Sequence, residues 1–440
     1  LSRFLYTFLL RLLSPLLLAW MALRAKRSGG SWEVLGAKRF GYYRGKGLAK
    51  RPVWVHAVSL GETRAAQPLV AALLAQGHTV LLTQFTYTGR AEGARAFAPE
   101  IAQGRLHLQW LPYDFPGACR RFIEFHRPLV AVIIEREVWP NLMYASRQAK
   151  LPVILASARF SDHSLRQSLR IGSLMRGAYS SFTAIYAQTL QDAQRLEQAG
   201  GKAVRVSGNF KFDVQLPQAQ VERGRQFMSE VGRRVVVIAS TREGEDTMFI
   251  PAIARFIKRE QQMDIDTAKR TLFYLIPRHP ERFDAAFESL QAETLVACRR
   301  TELVALGDAS SSAISLCREC DVVLGDTLGE MPWYYAQAQV AIVAGSFAPL
   351  GGQNFIEACA LGVPVVVGPH TRNFEQAVAD ALHEGAAHRA PNAAAAIKFA
   401  TDLLGDRQSQ ERMGDAGLHW VQKHSGSVQR VVTGINEILH

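Results

Sequence analysis

The sequence predicts an α/β fold of two Rossmann-like halves in series, each a parallel sheet covered by helices, behind an N-terminal apolar helix. Three observations lead there. Short β-branched runs alternate with helix-periodic stretches through the first half, which is the rhythm of a parallel sheet buried on both faces. The rhythm breaks near Ser207-Gly208-Asn209-Phe210-Lys211-Phe212-Asp213, passes through the polar stretch 215–225, and restarts. A length of 440 residues also exceeds what one hydrophobic core ordinarily organises. The expected boundaries are 1–30 for the N-terminal helix, 31–214 for the first half and 215–440 for the second.

Composition narrows the class. Hydrophobic content of 48% against 20% charged residues is that of a folded chain. Lys and Arg number 51 against 39 Asp and Glu, a formal charge of +12 that favours an acidic partner. Nucleic acid, anionic lipid and a phosphorylated substrate all qualify. The five cysteines are scattered and odd in number, so no disulfide framework is expected and a reducing compartment fits. Cys317 and Cys320 make a lone C-x-x-C without the further ligands of a zinc site.

Phe4 to Leu23 carries a single charge, Arg11, over about the length that spans a bilayer core. Arg24, Lys26 and Arg27 follow at once, which sets the downstream chain on the cytoplasmic side. A secretory signal would carry its positive charge before the apolar run and a small-residue cleavage site after it. The segment therefore reads as a membrane anchor. Arg11 and Pro15 weaken a spanning helix, so a helix lying among the headgroups is the alternative.

In the first half, strands are expected at Val53–Val58, Val80–Thr83, Leu106–Leu111, Leu129–Ile134, Val153–Ala156 and Ala184–Ala187. The turn after the first of these, Ser59-Leu60-Gly61-Glu62, sits where a Rossmann-like unit usually offers bare amides to a phosphate. A carboxylate there is unusual. Glu62 fits two roles: the far end of an S-x-x-E capping box, or a base presented to a substrate. Gly61 favours the second, because a cap does not require glycine and a close substrate approach does.

In the second half, strands are expected at Val235–Ala239, Leu272–Ile276, Val322–Leu324, Val340–Val343 and Pro364–Val367. Four strand-to-helix turns follow them: Ser240–Gly244, Pro277–Arg282, Gly325–Glu330 and Gly345–Glu357. All should project from one sheet edge, where ligands of such folds bind. Arg278 can chelate a phosphate, or else pair with Glu281 on the surface. Leu328, Gly329 and Glu330 are expected to open a helix and offer amides to phosphate oxygens. Gly351 and Gly352 permit close approach, Asn354 begins a helix, and Glu357 one turn on is placed to accept the two hydroxyls of a ribose. Ser240–Glu243 and Thr327–Glu330 repeat the capping-box pattern of Ser59–Glu62. No metal site is expected, since Asp264-Ile265-Asp266 falls in a polar connection. Together these turns point to a nucleotide-sugar donor, and two Rossmann-like halves in series match, by analogy, the GT-B architecture of glycosyltransferases.

The ordered set A-V-S-L-G-E, E-x-E-x-W-P-N (Glu135 to Asn141), G-N-F-K-F-D (Gly208 to Asp213), A-S-T-R-E-G-E, P-R-H-P-E-R-F, G-D-T-L-G-E, G-G-Q-N-F-I-E and G-P-H-T-R-N-F resembles the 3-deoxy-D-manno-octulosonic acid (Kdo) transferases of bacterial lipopolysaccharide synthesis. The resemblance covers nearly the whole chain, including the basic segment that ends in Lys38-Arg39-Phe40-Gly41. It implies a GT-B enzyme, its two domains facing across a cleft, that moves Kdo from CMP-Kdo to the phosphorylated lipid A precursor. Inversion at the anomeric carbon, no metal, no cofactor and no nucleic-acid partner are implied with it. So is a seat at the inner membrane, with catalytic domains on the cytoplasmic side. By the same resemblance Glu62 is the general base, and Glu135 and Lys211 stabilise the transition state. Pro277, Arg278, Leu328, Gly329, Glu330, Asn354, Phe355, Ile356 and Glu357 hold CMP.

The sequence departs from the family's pattern at Gln353, where His is expected, and at Phe355, where Pro is expected. Arg136 and Arg242 stand where Thr and His are frequent. Two other classes share parts of the pattern. A nucleotide-sugar 2-epimerase would act on a soluble substrate and need no lipid acceptor. A membrane-tethered nucleotide-binding protein would bind CMP without turnover and tolerate loss of Glu62.

Overall fold

The computed structural model describes residues 2–27, 32–214, 216–266, 269–307 and 310–439. The chain folds as two compact units, Leu1–Asp213 with His424–His440, and Val214–Lys423.

The first unit is built on a seven-stranded sheet of strands β1 (Val53–His56), β2 (Val80–Gln84), β3 (Leu106–Trp110), β4 (Val130–Ile134), β5 (Val153–Ala158), β6 (Ala184–Ala187) and β7 (Val204–Val206). Their order is β3-β2-β1-β4-β5-β6-β7, with every pairing parallel. Alternation along β1 shows why the sheet needs helices on both sides. Val53 and Val55 meet the helix Leu60–Ala75 through Ala66, Leu69 and Leu73 on one face. Trp54 meets Phe122 of the helix Pro116–His126 on the other. The run of consecutive buried residues in β1, β2 and β4 follows from this double cover.

The second unit repeats the plan with β8 (Val235–Thr241), β9 (Leu272–Pro277), β10 (Ala297–Arg299), β11 (Val322–Leu324), β12 (Val340–Val343), β13 (Val365–Val367) and β14 (Ala387–Arg389). The order is β10-β11-β9-β8-β12-β13-β14, again with all pairings parallel. Its core gathers Val236, Ile238, Phe273 and Ile342 from the strands with Phe249, Ile253 and Ile397 from helices.

The expected end of the second half is corrected by the fold. Residues 424–440, assigned with 215–440 on the sequence, pack with the first unit. The helix Ser427–Leu439 buries Val428, Val431, Val432 and Ile435 against Val53, Val55 and Tyr186. Its start is fixed by Asp213, whose carboxylate accepts the amides of Gly426 at 2.6 Å and Val428 at 2.8 Å. Gly434 permits the close approach, since a Cβ there would collide with the Tyr186 side chain. The last residue of G-N-F-K-F-D is thus a helix anchor.

Three strands were not expected from sequence: β7, β10 and β14. Each is three residues long, β10 and β14 end in Arg, β7 carries one at its centre, and β7 and β14 are partly exposed. The basic segment Lys38-Arg39-Phe40-Gly41 also proves structural in part. Arg39 is buried, donates to the carbonyls of Leu111 and Phe85 at 2.9 and 2.7 Å, and lies against Trp110 and Tyr113. Gly41 adopts φ +77° where a Cβ would strike the Ala118 carbonyl.

Candidate active site

In a doubly wound sheet the loops diverge where strand order reverses, and ligands bind at that point beyond the strand ends. In the first unit the reversal lies between β1 and β4. The loop after β1 carries Glu62 and the loop after β4 carries Glu135, so topology alone makes these two carboxylates neighbours.

Glu62 lies in the first turn of the helix Leu60–Ala75, whose N-cap is Ser59. The capping box is complete: the Glu62 amide donates to Ser59 Oγ at 3.4 Å, and Glu62 Oε2 accepts the Ser59 amide at 3.4 Å. A shorter bond comes from the Val58 amide at 2.6 Å. Burial and then the negative charge of Glu135 nevertheless push the Glu62 carboxyl up to about 7, against the pull of those two amides. A Cβ on Gly61 would meet nothing nearer than Ser59 Oγ at 4.0 Å. The fold therefore does not demand glycine there.

Glu135 adopts φ +64°, in the left-handed region that a non-glycine residue seldom occupies. It is held there by its amide bonding to the Ala156 carbonyl at 3.0 Å, while its own carbonyl accepts Arg159. Glu137, the second acid of E-x-E, has its carboxyl raised by burial and also bears on Glu62. Sequence reasoning passed over it, although the motif contains it. Lys211 lies in the 3-10 turn Phe210–Phe212, whose N-cap Asn209 accepts the Lys211 amide at 3.0 Å. That turn packs on the helix that Glu62 opens. Arg136, by contrast, faces solvent.

In the second unit the reversal falls between β8 and β12. Here the structure supplies a residue that sequence reasoning missed. Glu245 is fully buried and accepts four backbone amides: Arg242 at 2.8 Å, Gly345 at 2.6 Å, Phe347 at 2.9 Å and Ala348 at 3.2 Å. It stitches the loop after β8 to the loop after β12. The capping box expected at Ser240–Glu243 is absent, because Ser240 has φ +60° and Glu243 turns outward to pair with Arg242 at 3.2 Å. The frame lies two residues later.

Pro277 ends β9, and the Arg278 amide bonds to the Thr241 carbonyl at 2.9 Å, bringing the turns after β8 and β9 together. Leu328 is exposed and Gly329 has φ +83°. They do not open a helix as expected; the helix is Met331–Tyr335, with Glu330 as its N-cap. The Glu330 carboxylate is engaged by buried Arg300 through two bonds of 3.0 and 3.1 Å and by the Thr327 hydroxyl at 2.6 Å. What this turn presents outward is Leu328 and backbone, not the acid.

The run 353–357 divides by side chain. Gln353 lies over Gly345, where a Cβ would meet it at 2.8 Å. Asn354 donates to Glu357 at 2.8 Å, ahead of the helix Ile356–Ala360, which starts two residues later than expected. Phe355 and Ile356 are buried. Phe355 stacks on Trp420 at 5.4 Å between centroids, with rings 10° from parallel. The departure at Phe355 therefore changes packing. Among the described residues no group of three or more His, Cys, Asp or Glu is placed to hold a metal ion, and Asp264 and Asp266 lie in the connection between the helix Asp246–Gln262 and β9. All five cysteines are buried and free, Cys317 and Cys320 included.

Over 440 residues, 100% of both chains, this chain is 50% identical to the 3-deoxy-D-manno-octulosonic acid transferase of Bordetella pertussis. It belongs to that family. The Haemophilus influenzae transferase is 29% identical over 98% of this chain and 97% of its own. A family model described as 3-Deoxy-D-manno-octulosonic-acid transferase (kdotransferase) matches residues 36–214. Among solved structures, a glycosyltransferase from Rickettsia africae covers 89% of this chain and 99% of its own, with TM-score 0.54 and 12% identity, a likeness of fold alone. This chain is thus a glycosyltransferase of lipopolysaccharide biosynthesis, built as two Rossmann-like domains of GT-B type.

Proposed function

We propose that the enzyme transfers Kdo from CMP-Kdo to the phosphorylated lipid A precursor with inversion, without a metal ion, and with Glu62 as the general base. The observation that carries this reading is the carboxyl of Glu62 raised to about 7 beside Glu135. A base poised near the working pH is half available at neutrality and strong enough to take a sugar hydroxyl's proton as attack proceeds. Gly61 leaves space for the acceptor next to it.

In this reading Glu135 raises the basicity of Glu62, and with Lys211 stabilises the charge that develops at the sugar in the transition state. The second unit binds the donor. Arg278 neutralises the leaving phosphate, the backbone of Leu328, Gly329 and Glu330 receives its oxygens, and Asn354 with Glu357 takes the ribose. Pro277, Phe355 and Ile356 hold that surface in shape. A basic protein suits a phosphorylated lipid acceptor in an anionic membrane, and we place the catalytic domains on the cytoplasmic side of the bacterial inner membrane.

The direct test is incubation with CMP-Kdo and a lipid A precursor, followed by weighing the lipid. A mass gain of Kdo that persists in excess chelator is expected. CMP-Kdo consumption with no lipid product, or activity lost to the chelator, overturns the corresponding part of the reading.

A further inference from the structure

The N-terminal helix Arg3–Arg27 is apolar over Arg3–Leu23 and none of that span is buried. Yet its first two turns are bonded to the first unit. Tyr6 donates to the Asp114 carboxylate at 2.9 Å, Thr7 donates to Asn141 Oδ1 at 3.1 Å, and the Arg3 guanidinium donates to the same oxygen at 3.3 Å. The chain beyond the helix is tied to the same unit, because the Trp110 indole donates to Glu33 at 2.8 Å. A helix of this length is roughly 35 Å long. With its first turns bonded to Asp114 and Asn141, the helix does not carry its start across a bilayer away from that unit. Phe4, Phe8, Leu12, Leu16 and Trp20 remain exposed for an apolar layer at headgroup level.

Where the helix begins there is a cavity of about 190 Å³, shared with the helices Pro140–Gln148 and Ser173–Tyr179. The Arg3 guanidinium lies 3.6 Å from the centroid of the Tyr144 ring, and that of Arg147 lies 5.8 Å from it. Ser181 lines it with its hydroxyl donating to the Gly177 carbonyl at 2.7 Å, Met143 and Leu174 add apolar wall, and no Asp or Glu lines the space. Among the described residues neither guanidinium has a carboxylate partner. Two cations sharing one aromatic platform repel each other until an anion sits between them.

We propose that this cavity binds a phosphate carried by a membrane lipid, whose chains then run beside the exposed face of the N-terminal helix. A lipid supplies both chemistries in the arrangement found here: an anion at the headgroup and an apolar tail alongside. Phosphate binding also fixes the height of the unit above the membrane. Vesicle binding needs neither donor nor turnover, so its failure would leave the proposed reaction untouched.

The test uses the full chain and flotation with phosphatidylcholine vesicles, with and without phosphatidylglycerol. Arg147→Gln and, separately, Arg3→Gln should each lower affinity for the phosphatidylglycerol vesicles about tenfold, with binding to phosphatidylcholine alone unchanged. Arg205→Gln, which removes one exposed arginine on β7, should change it less than about twofold. An equal loss in Arg205→Gln would mean that net charge alone is read, and would overturn the site. Wild-type affinity in Arg147→Gln would overturn it as well. Inorganic phosphate separates the two sources of this anion: a phosphate-dependent rise in melting temperature that vanishes in Arg147→Gln would assign the cavity to a free ion.

Discussion

The two units each place a glutamate at the reversal point of their sheet, and the two glutamates do opposite things. Glu245 accepts four amides, is sealed from water, and binds two loops into one surface. Glu62 accepts two amides, keeps part of its surface open, and faces a second acid. A carboxylate whose oxygens are taken up by four backbone donors serves the backbone. One with too few donors, burial and a like charge is left with a carboxyl near 7 and is available for proton transfer. On the proposed reading, the same residue type at the same topological position is framework in one unit and chemistry in the other.

The sharpest way to break this contrast is Glu62→Gln. The amide oxygen still accepts from Val58 and Ser59, so the helix keeps its cap, but it takes no proton. Turnover should fall roughly a hundredfold or more, with melting temperature not lowered and CMP affinity unchanged. If turnover stays near normal, Glu62 is a cap like any other and the two glutamates differ only in degree.

Glu245→Ala should show the reverse pattern. Four buried amides lose their acceptor, and the cost is about 3 kcal/mol or more. Thermal unfolding should move down by several degrees, and calorimetry should find CMP binding weakened because the loops after β8 and β12 separate. Wild-type melting and wild-type CMP affinity together would show that the loops hold without it.

The pH dependence follows from the direction of the Glu62 shift. As a base it must be unprotonated, so the transfer rate should rise about tenfold between pH 6 and 8 and level off above about 7. Stability runs the other way. Between about 4.5 and 7 the folded state keeps a proton that the unfolded chain has released, so this group's contribution to stability falls as pH rises through that window. Rate and chemical denaturation measured across the same range should therefore slope in opposite directions. Glu62→Gln should remove the rate slope and make the stability slope shallower, the raised carboxyls of Asp114 and Glu137 keeping the rest. A flat rate profile in the wild type would detach Glu62 from the rate.

Much of this contrast was legible in the sequence, and the part that was not has a physical reason. Central strands could be read because both faces are buried and the β-branched runs are unbroken, as in β4 and β8. Edge strands such as β7 and β14 are short, charged and partly exposed, so they carry no such signal. Glu62 stood out because a carboxylate is unexpected in its turn. Glu245 did not, because Glu243 completes an S-x-x-E pattern two residues earlier, and only the left-handed Ser240 moves the frame. Arg300, which occupies Glu330, was hidden for another reason: ion pairs between loops distant in sequence leave no spacing to read. The return of 424–440 to the first unit was equally invisible, since an amphipathic helix does not say which core it joins.

The smallest effect concerns the residue on which resemblance and geometry differ most. Resemblance puts Phe355 among the CMP-binding positions, whereas its ring is buried, stacked on Trp420 and edge-on to Phe374 at 6.1 Å. If the ring serves the core, Phe355→Leu loses an aromatic pair and leaves a partly refilled space, together about 1–2 kcal/mol. Melting should drop by a few degrees while CMP affinity stays within about twofold, because the helix Ile356–Ala360 keeps its start and Asn354 keeps its bond to Glu357. The stretch Gly351 to Glu357 would then bind through its backbone and its two polar side chains, with the phenyl ring as the wedge that sets their height. A tenfold or larger loss of CMP affinity with normal melting would instead put the ring in direct contact with the nucleotide, and the second unit would have a functional residue hidden in what looks like core.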